Sequence, residues 1–216
     1  MYGAYPQGSV RLFSEDGVEE YVSVPASVAR ALARHAREQG LKDPVQDYAL
    51  PQPRVEILRL IDRATTGTAK ERVLNLLEHR DYCQKELSER LVTEGFSRKL
   101  ASMVVQRASE AGIVSDERFA QAFVRSKLAA GWGVSRIERS LSNKGIAAEE
   151  LEGWPYDYFD PEDELQRALE VAERKTVREP NAFQKMVRFL MGRGFSYRVS
   201  KDAAQRVLES KEDFAI

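Results

Sequence analysis

The sequence contains a single cysteine, two histidines and no long hydrophobic run, and each of these shortages argues against a class of protein. With Cys83 alone, the chain forms neither an intramolecular disulfide nor a cysteine-rich metal site. His35 and His79 lie in different parts of the chain without an orienting third group, so the sequence indicates no catalytic triad and no histidine-based metal site. No apolar run reaches the roughly 20 residues of a membrane-spanning helix, and the first residues lack the layout of a secretion signal. We therefore expect a cytoplasmic protein that makes no contact with a membrane.

The net charge is also close to zero: 33 basic residues and 34 acidic residues give −1. This balance gives no support for a protein that binds polyanions through its total charge. The charges are nevertheless segregated along the chain. Residues 185–208 carry six basic residues and one acidic residue, whereas residues 149–164 carry eight acidic residues and no basic one. The sequence thus predicts separate basic and acidic regions on the surface.

Loops that hold phosphates or dinucleotides are missing as well. The segment 65–70 has threonine, glycine and lysine but not the glycine-to-lysine spacing of a phosphate loop. The Gly-Trp-Gly of residues 131–133 follows a predicted helix, whereas a dinucleotide fingerprint follows a strand. We expect no enzymatic activity and no cofactor.

The most informative feature that is present is a short pattern found three times at intervals of about fifty residues. A large apolar residue is followed four residues later by leucine, then four later by glycine, and then directly by another apolar residue. This pattern predicts a helix that ends in a Schellman cap, with the last apolar residue folded back onto the leucine. The copies are Leu87–Leu91–Gly95–Phe96, Ile137–Leu141–Gly145–Ile146 and Met186–Leu190–Gly194–Phe195.

Three similar helix endings at a near-constant period predict a repeat protein. We expect a mainly all-α fold, an elongated array of three tandem three-helix repeats that stabilise one another by packing. In the second repeat, Leu151 is expected to begin a short third helix. The predicted divisions are an N-terminal element at 1–68, repeats at 69–114 and 115–153, and an acidic connector with the third repeat at 154–216.

The N-terminal element has a different pattern from the repeats. Residues 10–24 predict a β-hairpin around the Asp16-Gly17 turn, and Ala26 to Gln39 predict a helix with Val28, Leu32 and His35 on one stripe. A proline-rich loop follows. The segment 65–68 predicts a joint before the repeats begin.

Basic residues near the glycine-rich turns are the strongest functional signal in the chain. Such side chains at helix ends can reach phosphates or an acidic protein surface, although charged faces are also ordinary in repeat proteins. The candidate binding residues are Arg118, Arg125, Lys127, Arg136, Arg139, Lys144, Lys185, Arg188, Arg193 and Arg198. Five of them are expected to cluster around residues 131–133: Arg125, Lys127, Arg136, Arg139 and Lys144.

Residues 115–127 and 136–146 of the second repeat, and residues 86–97 of the first, form the most distinctive stretches of the repeats. They resemble the RecX family, regulators of the RecA recombinase, and residues 86–97 match the first repeat of that family. The resemblance extends over about residues 70–210. The residues that stand where the family signature has them are Asp116, Arg118, Phe119, Ala120, Phe123, Arg125, Ile137, Leu141, Gly145 and Ile146. Two departures concern basic residues: Val134-Ser135 stand where the family often has Pro-Arg, and Lys127 stands where arginine is common.

The resemblance implies a non-enzymatic, monomeric protein whose partner is the RecA filament. It would lie in the groove of the RecA–DNA filament, bridge protomers and contact DNA through the filament. It would hinder ATP turnover and strand exchange, and so regulate DNA repair, recombination and the SOS response.

Two other readings of the sequence stay open. Three-helix modules with a basic third repeat also suit a stand-alone DNA-binding protein. Alternatively, Trp154, Tyr156, Tyr158 and Phe159 form an aromatic anchor of a structural adaptor, or simply pack the connection between the second and third repeats.

Overall fold

The structure is a computed structural model that describes residues 7–13, 19–38, 54–160, 163–177 and 180–213. These residues are mainly α-helical, with one two-stranded sheet, and they divide into two compact units, Met1–Ser115 and Asp116–Ile216. The predicted class, tandem three-helix repeats after a small hairpin and helix, is confirmed. The elements are β1 (Gln7–Phe13), β2 (Glu19–Pro25), α1 (Ala26–Glu38), α2 (Arg54–Leu77), α3 (Gln84–Thr93), α4 (Arg98–Glu110), α5 (Asp116–Ala129), α6 (Val134–Asn143), a 3₁₀ turn (Ala148–Glu150), α7 (Asp163–Glu173), α8 (Ala182–Arg193) and α9 (Tyr197–Asp213).

Strands β1 and β2 form the predicted hairpin, with Val10 paired to Val22 in an antiparallel register. The Asp16-Gly17 turn and the proline-rich loop lie outside the described residues. Helix α1 follows β2 directly and buries Val28, Leu32 and Ala36. The prediction that His35 belongs to this stripe is wrong: its side chain is exposed, because position 36, four residues after Leu32, is the one that faces inward.

The joint predicted at residues 65–68 is wrong, because α2 runs through it without a break. The hydroxyl of Thr65 donates to the carbonyl oxygen of Ile61 one turn earlier, at 2.6 Å. Ile61, Ala69 and Val73 are all buried, which places one apolar stripe on both sides of the threonine-rich segment. The weak helix propensity of threonine and glycine is therefore outweighed by burial of this stripe.

The N-terminal element and the first repeat share one hydrophobic core. Val10, Val28 and Leu32 belong to the same cluster as Leu87 and Leu91 of the first repeat. Helix α2 links the two parts, since it packs against α1 as well as α3 and α4. The hairpin and α1 are thus an integral part of the first compact unit. The boundaries predicted for the repeats themselves stay predictions.

The three predicted Schellman caps are present. Gly95, Gly145 and Gly194 have φ angles of 98°, 79° and 98°, the left-handed region that a side chain disfavours. The amide of each following residue donates to the carbonyl of the predicted leucine: Phe96 to Leu91 at 3.1 Å, Ile146 to Leu141 at 3.0 Å and Phe195 to Leu190 at 3.2 Å. Each of these apolar pairs is buried, so the predicted clasp forms in all three repeats.

The second repeat has a much shorter third helix than the first. Its first two helices, α5 and α6, are followed by the single 3₁₀ turn at Ala148–Glu150, and Leu151 comes after that turn. The prediction that Leu151 begins a helix is therefore wrong. Residue 147 provides no side-chain cap, whereas Ser97 in the first repeat accepts a hydrogen bond from the Leu100 amide at 3.2 Å. The uncapped start agrees with the short length of this element.

The aromatic residues after this turn pack mostly against one another. The Trp154 ring lies 4.9 Å from that of Phe159 and 5.3 Å from that of Tyr158. Phe159 is buried, while Tyr156 is 77% exposed. Three of the four residues considered as an anchor therefore form a local cluster, which agrees with the packing interpretation.

Candidate functional site

A contact between two backbones joins the second and third repeats within the second compact unit. The amide of Gly133, just before α6, donates to the carbonyl oxygen of Arg193, at the end of α8, at 2.8 Å. A Cβ on Gly133 would lie 2.2 Å from the carbonyl carbon of Gly194, and a Cβ on Gly194 would lie 2.4 Å from the Cβ of Arg136. No side chain fits at either position without moving the backbone, so the two glycines allow this close approach.

The same turn places Trp132 beside helix α5. Gly131 ends α5 with a φ angle of 73°, and the Trp132 amide donates to the carbonyl of Lys127 at 3.0 Å, the same capping arrangement as in the three repeats. The Trp132 ring then stands edge-on to Phe123 at 6.4 Å, and Phe123 stacks on Phe119 at 5.9 Å. Three aromatic rings thus form a continuous row along α5.

Three of the predicted binding residues lie over this row. The guanidinium carbon of Arg136 is 3.8 Å from the centre of the Trp132 ring. The ammonium of Lys127 is 5.1 Å from both Trp132 and Phe123, and that of Lys144 is 5.4 Å from Phe119 and 5.6 Å from Phe123. These distances are typical of cation–π interactions, each of which stabilises by about 0.5–1 kcal/mol at exposed sites. We call this group the cation–aromatic row: Phe119, Phe123, Trp132, Lys127, Arg136 and Lys144.

The row has the chemistry of a surface for an anionic partner. Its cations are only half-buried, and so are the rings of Phe123 and Trp132. The rings hold the long basic side chains in place, which lowers the entropy that these chains lose on binding. Flat rings beside cations can contact either phosphates and bases or an acidic protein surface.

The structure does not bring the other basic residues of the second repeat into this row. Arg125 lines a groove of its own together with Glu117, Glu152 and Asp157. Arg139 is exposed beside a different groove between α6 and the 3₁₀ turn. Arg118 is exposed on the first turns of α5. Of the cluster predicted around residues 131–133, Lys127 and Arg136 lie beside Trp132, and Lys144 lies at the far end of the row.

In the third repeat, three of the predicted residues lie on exposed helix surface: Lys185 and Arg188 on α8, and Arg198 at the start of α9. Arg193 is different, because its guanidinium Nη1 donates to the carbonyl oxygen of Ala130 at 3.2 Å. This hydrogen bond adds to the backbone contact between the two repeats. Arg193 thus has a structural role at the joint besides any role in binding.

Three basic residues in α7 or directly after it were not predicted. Arg167, Arg174 and Lys175 line a cleft together with Arg193. The signal for them was the seven-residue spacing of Arg167 and Arg174, which places both on one face of a helix two turns apart.

An ion-pair network in the first repeat shifts two pKa values. Arg72 Nε and Nη2 each donate a hydrogen bond of 2.8 Å to a different carboxylate oxygen of Glu94. Arg90 Nε donates a third, of 2.9 Å, to Glu94 Oε1. Burial alone would raise the pKa of Glu94, but the hydrogen bonds and charges of Arg72 and Arg90 outweigh it and lower that pKa below its ordinary value. The hydrogen bond to Glu94 raises the pKa of Arg72. This network holds the end of α3 against α2.

Within the described ranges no helix is both long and apolar enough to cross a membrane. In the same ranges, no group of three or more histidine, cysteine, aspartate or glutamate side chains is placed to hold a metal ion. Cys83 is fully buried at the start of α3.

The chain matches the three domain profiles of one protein family. Residues 69–107 match the first three-helix domain of RecX, residues 115–152 the second and residues 162–204 the third. The regulatory protein RecX of Chromohalobacter salexigens is 32% identical over 151 residues, which are 67% of this chain and 95% of that protein.

Two solved structures share the fold. The crystal structure of RecX from Lactobacillus salivarius aligns with a TM-score of 0.53 at 21% identity and covers 66% of this chain and 96% of its own. A second crystal structure, of a regulatory protein RecX, aligns with a TM-score of 0.58 at 16% identity and covers 94% of this chain and 99% of its own. With all three domain profiles matched in order, the chain belongs to the RecX family of regulatory proteins.

Proposed function

We propose that this chain is a non-enzymatic modulator, and mainly an inhibitor, of the RecA recombinase. It binds as a monomer in the groove of the RecA–DNA filament in the cytoplasm, lowers ATP hydrolysis and strand exchange, and alters filament stability. Membership of the RecX family carries the proposal. Tandem repeats support it, because successive modules of a repeat protein can contact successive protomers of a periodic partner.

The ten basic residues predicted from the sequence are the proposed contact residues, and the cation–aromatic row comes first among them. In this row three cations and two half-buried rings form one continuous surface. A filament of protein and DNA offers both carboxylates and phosphates, which such a surface can contact. Arg118, Arg125, Arg139, Lys185, Arg188, Arg193 and Arg198 come second, because the structure places them on separate surfaces or at the joint between repeats.

The test measures ATP hydrolysis and strand exchange by RecA on single-stranded DNA while the protein is added. We expect both activities to fall at stoichiometries near one protein per few RecA protomers. Unchanged activities at that ratio would refute the proposal.

A stand-alone DNA-binding protein is the second candidate function. The observation that favours it is the row of aromatic rings with adjacent cations, which is a common arrangement in proteins that bind single-stranded nucleic acid. This candidate requires tight binding to DNA without RecA. The logarithm of the affinity should then fall with the logarithm of salt concentration, with a slope of roughly −0.7 per phosphate neutralised on single strands.

A further inference from the structure

A basic cleft lies within the second compact unit, between the end of α5 and the adjoining faces of α7 and α8. Its volume is about 670 Å³, which is large enough for a small charged ligand. Four cationic residues line it, and one acidic residue, Glu170, opposes them. The four are Arg167, Arg174, Lys175 and Arg193. The lining therefore has an excess of three positive charges, and a concave wall concentrates their potential.

Two of these cations lie near the same aromatic ring. The ammonium of Lys175 lies 5.1 Å from the centre of the Phe189 ring, and the guanidinium carbon of Arg193 lies 5.3 Å from it. Both cations also line the cleft, so an anion bound there would be attracted to each of them.

Arg167 supplies an independent observation. Its Nε and Nη2 atoms are buried, and no acceptor in the described part of the chain forms a hydrogen bond with them. One side of the guanidinium faces Phe159, with 5.8 Å between its central carbon and the ring centre. Buried N–H groups without an acceptor are unfavourable, because they have lost water and gained nothing in return. Because Arg167 also lines the cleft, an anionic oxygen bound there could supply the missing acceptor.

We propose that this cleft binds a phosphate group, with Arg167, Arg174 and Arg193 as its ligands. The planar guanidinium donates two parallel N–H groups, a geometry that fits two oxygens of one phosphate. The phosphate comes either from a small molecule or from the backbone of a nucleic acid. Because α5 belongs to the second repeat and α7 and α8 to the third, the bound phosphate connects two repeats beside the Gly133–Gly194 contact. The site is separate from the cation–aromatic row, and it does not depend on the proposed action on RecA.

The experiment uses the full chain and three probes at constant ionic strength: inorganic phosphate, pyrophosphate and a short single-stranded oligonucleotide. Binding is followed by isothermal titration calorimetry for wild type and for Arg174→Gln, a change at an exposed side chain that should leave the fold intact. Arg206→Gln, at an exposed position on α9 outside the cleft, is the matched control. We expect saturable binding that Arg174→Gln weakens at least about tenfold and Arg206→Gln leaves unchanged.

The three probes distinguish the sources of the phosphate. Saturable binding of phosphate or pyrophosphate identifies a small-molecule site, and binding of the oligonucleotide alone identifies a nucleic-acid backbone. Arg167→Lys is the second variant: it retains a charge but loses the guanidinium fork, and its thermal unfolding shows whether it folds. Two results would overturn the proposal: no saturable binding of any probe to wild type, or binding that Arg174→Gln and a folded Arg167→Lys leave as strong as it is in the control.

Discussion

The guanidinium carbon of Arg136, on the first turn of α6, lies 3.8 Å from the centre of the Trp132 ring, in the turn before that helix. This contact depends on both glycines that flank Trp132. Gly131 ends α5 in the left-handed conformation, and Gly133 allows α6 to begin against the backbone of the third repeat. The position of the proposed contact surface is thus set by the same turn that joins two repeats.

Neutralising the cations of the row should weaken the action on RecA. In the triple variant Lys127→Gln, Arg136→Gln, Lys144→Gln, we expect that about tenfold more protein is needed for half-maximal inhibition of ATP hydrolysis. The estimate follows from three half-exposed charge contacts worth about 0.5 kcal/mol each. The measurement is an ATPase titration, with far-ultraviolet circular dichroism to show that helicity is retained.

The matched control for this variant is Lys70→Gln, Arg98→Gln, Lys99→Gln, which removes the same charge from exposed positions on α2 and α4 of the first unit. It should inhibit as wild type does. If both triple variants lose inhibition equally, the effect is one of net charge, and the row is not the contact surface.

The glycine contact between the second and third repeats should tolerate no side chain. Gly133→Ala places a Cβ 2.2 Å from a backbone carbon of Gly194, so we expect a loss of stability of about 2 kcal/mol or more. Gly192→Ala is the control, because a Cβ at this position of α8 meets nothing within 4 Å. Alanine should there stabilise the helix by about 0.5–1 kcal/mol. Urea denaturation of both variants measures the difference, and equal stabilities would show that the close approach does not exist.

The cap at the end of α6 should be sensitive to any side chain placed at position 145. Gly145 has a φ angle of 79°, and valine is strained there, so Gly145→Val should lower the free energy of unfolding by about 2 kcal/mol. Asparagine is tolerated better in the left-handed region, and Gly145→Asn should therefore lose less. Melting temperatures test the order glycine, asparagine, valine. A valine variant as stable as wild type would argue against the cap.

The Arg72–Glu94 pair should make stability depend on pH. Since the pKa of Glu94 is lower in the folded chain than its ordinary 4.5, its contribution is fully present above about pH 4.5. That contribution is lost as the pH falls through the lower, folded-state pKa. Glu94→Gln should cost about 1 kcal/mol at pH 7, and the difference from wild type should shrink below pH 4.5. Urea unfolding across this range is the measurement; a difference that stays constant with pH would contradict the assigned ion pair.

The parts of the fold that the sequence predicts are those with a strong local cause. The caps at Gly95, Gly145 and Gly194 follow from residues within one turn of each glycine, and all three form as predicted. The joint at residues 65–68 was predicted from local propensity, but Ile61, Ala69 and Val73 share one buried stripe and keep α2 continuous. Burial against distant elements is not visible in a local pattern, and here it decides the structure.

The candidate site shows the same division. Lys127, Arg136 and Lys144 are predicted from the sequence as binding residues. Their alignment over Phe119, Phe123 and Trp132 depends on how α6 packs back along α5, which the sequence does not show. Arg125, two residues before Lys127, points to a different groove because successive residues of a helix are rotated by about 100°. Arg167 and Arg174 escaped prediction because Arg193, which lines the same cleft, comes from another helix, 26 and 19 residues further along the chain.

The most direct test of the proposed function compares two affinities at the same salt concentration. Labelled protein is titrated with RecA filaments on single-stranded DNA, held by a non-hydrolysable ATP analogue, and in parallel with the same DNA alone. We predict that the filament binds at least about tenfold more tightly, a difference of about 1.4 kcal/mol. Equal affinities, or tighter binding to bare DNA, would contradict the account and favour a stand-alone DNA-binding protein.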